Sequence, residues 1–132
     1  MKAVRFARLL ALAIPVAGCS STSTSSPKPP VIDNLQLPAS VTGSANVYTI
    51  QGTISFHDDD DQVTTLHVKI PNTNIDNKDA VTPASTGTNV ALKLVLTTAS
   101  PVSPGTVIEI DISLIDQAGA ESAVLQEHVT LN

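Results

Sequence analysis

The sequence predicts an all-β domain, a single antiparallel β-sandwich of about seven strands spanning residues 31–132. Apolar and polar residues alternate through several long segments, which is the period of a strand with one buried face. Proline and glycine recur between these segments, where they favour turns. Strands that each bury one face form a stable domain when two sheets enclose a common core.

Five segments carry the clearest alternation: 47–57, 62–70, 89–97, 106–115 and 122–131. A weaker first strand is predicted at 31–37 and a further one near 79–82. Glu127 falls on the inward face of the last segment, which predicts either a bulge or an exposed edge there. Helical periodicity is nearly absent from this part of the chain.

Residues 1–18 differ in kind from the rest. Three cations precede the apolar run 9–17, and Gly18 and Cys19 follow it. That order is typical of a secretory signal peptide. The alternative is a transmembrane anchor, but an unbroken bilayer span needs roughly 20 apolar residues, and this run is about half as long. We therefore predict that residues 1–18 are a signal peptide.

The four residues Val16-Ala17-Gly18-Cys19 resemble the lipobox of bacterial lipoproteins. The resemblance implies that the Cys19 thiol receives a diacylglyceryl group and that a peptidase cuts before it. Leu is more usual where Val16 stands. Two acyl chains suffice for stable attachment, so the expected partner of the N-terminus is a membrane. In a Gram-negative host, Ser20 in place of Asp favours the outer membrane.

Residues 19–30 comprise this cysteine and a Ser, Thr and Pro-rich linker that holds the domain away from the membrane. Cys19 is the only cysteine, so the lipidated chain is expected to contain no disulfide. After removal of the signal peptide, four lysines remain against twelve acidic residues, a formal charge of −8. This charge argues against nucleic acid as a partner.

Residues 31–132 resemble bacterial immunoglobulin-like and fibronectin-type-III-like domains. Segment 50–56 with its acidic continuation is similar to a B strand and BC turn, 66–70 to a C strand, and 112–119 to an F strand entering a turn. The chain has no tryptophan on the C strand and no cysteine pair, which excludes an antibody-type domain. The fold alone does not specify a function.

Consecutive carboxylates follow the strand at 47–57. In such a sandwich the BC loop, the FG loop and the start of strand A lie at one pole, and Ca²⁺ prefers oxygen ligands. We therefore predict a calcium site facing the membrane. The competing interpretation is a solvated turn in which Asp caps the backbone. The candidate ligands are Asp58, Asp59, Asp60, Asp61 and Asp116, with Asp33 and Asn34 nearby.

No other motif indicates chemistry. His57, His67 and His128 are interpreted as surface residues, and no nucleophile elbow occurs. No cofactor is expected, and Ca²⁺ is the one candidate. Exposed apolar residues of two strands would form one strip if the strands were adjacent: Ala91, Val95, Val107 and Ile115. We predict a non-catalytic interaction, adhesion or envelope-scaffolding module that contacts an envelope or surface protein. The alternative is a calcium-dependent envelope-binding module.

Overall fold

The computed structural model describes residues 26–132, and all of their regular structure is β. The strands are β1 (Val31–Gln36), β2 (Ser40–Val41), β3 (Val47–His57), β4 (Val63–Lys69), β5 (Asp76–Ala84), β6 (Thr86–Thr97), β7 (Thr106–Asp116) and β8 (Leu125–Leu131). The predicted all-β class is confirmed. The described strands number eight because the chain forms the two-residue β2 after leaving β1.

The strands form two sheets, one in the order β1-β3-β6 and the other in the order β2-β8-β7-β4-β5. All neighbours are antiparallel except β2 and β8, where Ser40 pairs in parallel with Thr130. The predicted antiparallel sandwich therefore contains one short parallel pair. The N-terminal strands are divided between the sheets, since β1 pairs with β3 while β2 pairs with β8.

The core lies between the two sheets and consists almost entirely of the inward residues of the alternating segments. Ile50 and Ile54 of β3 face it from the smaller sheet, and Ile110 and Ile112 of β7 from the larger one, each no more than 1% exposed. The remaining buried apolar residues are Tyr48, Phe56, Val63, Leu66, Val68, Ile70, Leu92, Leu94, Leu96, Leu114, Val129 and Leu131. Period-two patterning thus determines which face of each strand is buried.

Glu127 lies in a regular part of β8, paired with Ile110 without a register shift. The predicted bulge is therefore absent. The predicted exposed edge is present instead, because β2 covers β8 only at Thr130 and Leu131. The carboxylate of an inward-facing glutamate can reach solvent along such an edge, and Glu127 is only half-buried.

The chain passes from the larger sheet to the smaller one at a single residue. β5 pairs with β4 in the larger sheet, Ser85 follows, and β6 pairs with β3 in the smaller sheet. β6 and β7 consequently belong to different sheets. The predicted apolar strip, which required these strands to be adjacent, does not form.

The last linker residues pack against the domain. Pro30 is fully buried, and Lys28 contacts the turn that follows β3. The residues of the predicted lipobox, Val16, Ala17, Gly18 and Cys19, lie outside the described residues. Within residues 26–132, no helix is long and apolar enough to span a bilayer.

Ile112→Ala should lower the free energy of unfolding by about 2–5 kcal/mol, because it removes buried methyl groups and leaves a cavity at the centre of the core. Val107→Ala, on the same strand but 58% exposed, should change it by less than about 0.5 kcal/mol. Urea denaturation of both variants measures the difference. Equal destabilisation would contradict the assignment of the β7 faces.

Candidate functional site

The turns after β3 and β7 meet at one end of the sandwich. The amide of Gln117 donates to the carbonyl of Gln62 at 2.9 Å, which joins the segment 58–62 to the turn that begins at Asp116. We call Asp58, Asp59, Asp60, Asp61 and Asp116 the acidic pole. The linker enters at the same end through Lys28, so the sequence-based placement of these elements at one pole is correct.

Asp58 shapes the first of these turns. It is 6% exposed, and its Oδ1 accepts hydrogen bonds from the amides of Asp60 at 3.2 Å and Asp61 at 3.1 Å. This is the side-chain-to-backbone geometry that makes aspartate common in tight turns. The second oxygen, Oδ2, is buried without a hydrogen-bond partner.

Asp116 has the same role in the second turn. It is 3% exposed, its Oδ1 accepts from the amide of Ala120 at 2.7 Å, and its carbonyl accepts from the amide of Gly119. Gly119 has a φ of +88°, a conformation that glycine adopts without steric cost. As in Asp58, the Oδ2 atom is buried and has no partner.

The other carboxylates of the pole face different groups. Asp60 accepts a hydrogen bond from the amide of Lys28 at 3.0 Å, and Asp59 lies 3.7 Å from the ammonium group of the same lysine. Asp61 accepts from the amide of Gln62. Within residues 26–132, no three His, Cys, Asp or Glu side chains converge in an arrangement suited to a metal ion. Calcium binding at the acidic pole stays a prediction.

Beside the pole, His57 on β3 pairs with Asp33 on β1, with 2.8 Å between Nδ1 and Oδ1. The hydrogen bond to Asp33 and the charge of that carboxylate raise the pKa of His57 above its ordinary value. Asp33 is thus placed near the pole as expected. Asn34, also on β1, pairs with Ser55 of β3.

A second polar cluster lies on the outer face of the larger sheet, where His67 on β4 bridges two carboxylates. Its Nδ1 is 2.8 Å from Oε1 of Glu121, and its Nε2 is 2.7 Å from Oδ1 of Asp76. The hydroxyl of Ser113, opposite His67 on β7, donates to the same Glu121 oxygen. We call these four residues the His67 cluster. It borders a groove of about 190 Å³ that also includes Lys69, Asp111 and Val124.

Electrostatic interactions within the His67 cluster favour a protonated His67 and ionised Asp76 and Glu121. The hydrogen bond with Glu121 raises the pKa of His67 more than partial burial lowers it, and Asp76 adds to the increase. The Ser113 hydroxyl and His67 lower the pKa of Glu121, and His67 lowers the pKa of Asp76. A protonated imidazole can donate to both carboxylates, whereas a neutral imidazole has a single N–H.

Sequence reasoning interpreted His67 as an isolated surface residue and missed this cluster. One signal was available, because strands C and F are neighbours in an immunoglobulin-like sheet and His67 and Ser113 both alternate outward. The other signal was not. Glu121 reaches the cluster because Ser122 folds back onto Leu114. The Ser122 amide donates to the Leu114 carbonyl, and the Leu114 amide donates to the Ser122 hydroxyl oxygen. No periodic pattern indicates this turn.

Known structures include a domain with a similar fold. A PKD domain of an M14-like peptidase from a Thermoplasmatales archaeon matches with a TM-score of 0.54 at 16% identity, covering 80% of this chain and 98% of that one. The fold is an immunoglobulin-like β-sandwich. In this fold strands B and C (β3 and β4) lie in different sheets, so His57 and His67 are not neighbours.

Two further structures match below a TM-score of 0.5, and we draw nothing from them. They are the PKD1 domain of Epp from Vibrio anguillarum (0.46, 10% identity, 80% of this chain and 96% of that one) and a superoxide reductase, neelaredoxin, from Ignicoccus hospitalis (0.43, 10% identity, 80% and 81%). No protein-family model matches the chain. No curated protein matches it either.

The His67 cluster should make stability depend on pH. Because the folded-state pKa of His67 is raised, its stabilisation is fully present below the unfolded value of about 6.5 and is lost as pH rises through the folded value. Asp76 and Glu121 have lowered pKa values, so their contribution is lost only as pH falls towards those values. The melting temperature should therefore be higher at pH 6 than at pH 8.

His67→Gln should reduce this difference in melting temperature, measured by circular dichroism in matched buffers. His128→Gln is the control, because His128 is 61% exposed in its side chain and lies 3.5 Å from Glu109, a contact of little energetic value at the surface. An unchanged pH dependence in the His67 variant would show that the cluster does not stabilise the fold.

Proposed function

We propose that the protein is a lipid-anchored envelope protein whose immunoglobulin-like domain is a non-catalytic interaction module. The observation that carries this proposal is the resemblance of Val16–Cys19 to a lipobox, at the end of a signal-like segment and ahead of a β-sandwich. The outer membrane is the favoured location in a Gram-negative host. An envelope or surface protein is the proposed partner.

The contacts of the linker support a defined orientation. Lys28 contacts Asp59 and Asp60, and Pro30 is buried. The chain therefore leaves the domain at the acidic pole. In a protein anchored through Cys19, this pole is directed towards the membrane and the opposite pole away from it.

The geometry of the polar residues supports a non-catalytic role. Ser113 is only 3% exposed, whereas a nucleophilic serine must be accessible to its substrate. Both nitrogens of His67 already face carboxylates. Asp58 and Asp116 cap backbone amides in their turns. These side chains organise the fold.

Mass spectrometry of the mature protein tests the anchor. Wild type should begin at Cys19 and carry the mass of a diacylglyceryl group, and it should partition with membranes. Cys19→Ser should lack this mass and be released from membranes, because no acyl chains remain to hold it. A wild-type N-terminus without a lipid-sized mass addition would overturn the proposed anchoring.

Affinity capture of the native lipoprotein from its own membranes tests the interaction role. A partner should be recovered with the wild-type chain. The same partner should be recovered when an exposed residue that does not contribute to the core, such as Val107, is changed to alanine. Recovery of nothing above the level of an unrelated lipoprotein, after chemical crosslinking of intact cells, would count against an interaction module.

Calcium-dependent binding is the second candidate function. Two buried carboxylate oxygens without partners favour it, Oδ2 of Asp58 and Oδ2 of Asp116, because buried acceptors are ordinarily satisfied and Ca²⁺ binds carboxylate oxygens. Millimolar Ca²⁺ should then raise the melting temperature of wild type. Asp116→Asn should reduce the increase, whereas Glu109→Gln, on β7 outside the acidic pole, should retain it. An unchanged wild-type melting temperature would exclude this function.

A further inference from the structure

The smaller sheet has three strands, and β6 lies at its edge. In constant-type immunoglobulin domains, four strands, A, B, E and D, face three. Here the corresponding sheet has β1, β3 and β6, and the strand before β6 has joined the larger sheet. We propose that an extended segment of a partner protein adds to β6 as a fourth strand, with an apolar side chain and a basic side chain facing inward. This inference rests on the proposed interaction function.

β6 is suited to accept a strand. Within residues 26–132 it pairs with β3 on one side, and its other edge has no neighbouring strand. Leu92, Leu94 and Leu96 face the core, and Val95 on the opposite face is 50% exposed. Lys93 is the only charge on the strand. A long edge strand with regular alternation and few charges readily pairs with another chain.

A groove lies next to this edge, where the chain passes from β5 to β6. Its volume is about 380 Å³, and its apolar lining includes Phe56, Val81, Ala84 and Val90. Glycine at position 87 keeps the groove open beside the Phe56 ring, because a Cβ there would clash with a carbon of that ring. The groove can accept one apolar side chain from a strand added to β6.

The core-side face of β5 determines which second side chain of the added strand would fit. Asp79 pairs with Leu66, a core residue of β4, and directly paired residues lie on the same face of a sheet. Asp79 nevertheless remains exposed, since β5 has no strand opposite it in the smaller sheet. Val81, which lines the groove, is two residues away. A matching segment therefore carries an apolar and a basic residue separated by one position.

Charge argues against a second copy of this chain as the occupant. Between residues 26 and 132, four lysines face twelve acidic residues, so two copies repel each other. Symmetric pairing of two β6 strands would also bring the two Lys93 side chains to the same interface, where like charges destabilise a strand pair. A basic segment meets neither obstacle.

A synthetic peptide of about ten residues, a typical length for a long strand, tests the proposal. The peptide has Val and Thr at alternate positions, and one central Val is replaced by Lys (the Lys peptide). A second peptide has Glu at that position (the Glu peptide). The Lys peptide should slow amide exchange in β6 of the mature chain by about tenfold or more and leave β8 unchanged. The Glu peptide should bind at least about tenfold more weakly.

Variants separate the two inward positions. Asp79→Asn should abolish the preference for the Lys peptide, whereas Glu109→Gln, the same change of charge on the outer face of the larger sheet, should retain it. Val81→Ser should weaken both peptides. Absence of binding at millimolar peptide, protection at another edge, or a concentration-dependent dimer with protected β6 amides would each overturn the proposal. Partner capture from membranes without peptide binding would leave the proposed function intact and remove only this assignment.

Discussion

Burial of one face of every long strand between the two sheets is the constraint on which the domain depends. Isoleucine, leucine and valine from β3, β4, β6, β7 and β8 supply nearly all of this buried surface, and only Tyr48 and Phe56 contribute aromatic rings. Removing apolar surface from water stabilises the fold by roughly 25 cal/mol per Å². Since the chain from residue 26 onward has no cysteine, this burial must offset the conformational entropy without a covalent crosslink.

The turns and polar clusters are secondary to that core, yet they decide where functional groups lie. Asp58 and Asp116 close turns at the ends of β3 and β7, and the same burial that makes them good caps leaves one oxygen of each without a partner. His67 and Ser113 are held side by side by the pairing of β4 with β7. The polar chemistry of the surface is therefore set by strand register.

Much of the fold follows from periodicity. The segment 47–57 coincides with β3, and 106–115 falls one residue short of β7, because long alternating strands with one buried face have a single favourable orientation. Strand pairing is harder to predict. Nothing in the alternation shows that β5 joins β4, that Ser40 pairs in parallel with Thr130, or that β6 and β7 lie in different sheets, since these depend on contacts between residues distant in sequence. The acidic pole could be located because its turns follow predicted strands, whereas the Glu121 contact depends on an irregular turn.

The burial of Pro30 limits the reach of the domain. Because the chain is fixed to the sandwich from Lys28 onward, at most residues 19–27 could extend between the proposed lipid on Cys19 and the folded domain. Nine residues span no more than about 30 Å when fully stretched. A partner bound along β6, which begins beside the acidic pole, would then be found close to the lipid headgroups, within a layer roughly as deep as the bilayer core is thick. In the proposed lipid-anchored protein, the domain would therefore reach partners at the membrane surface rather than ones far from it.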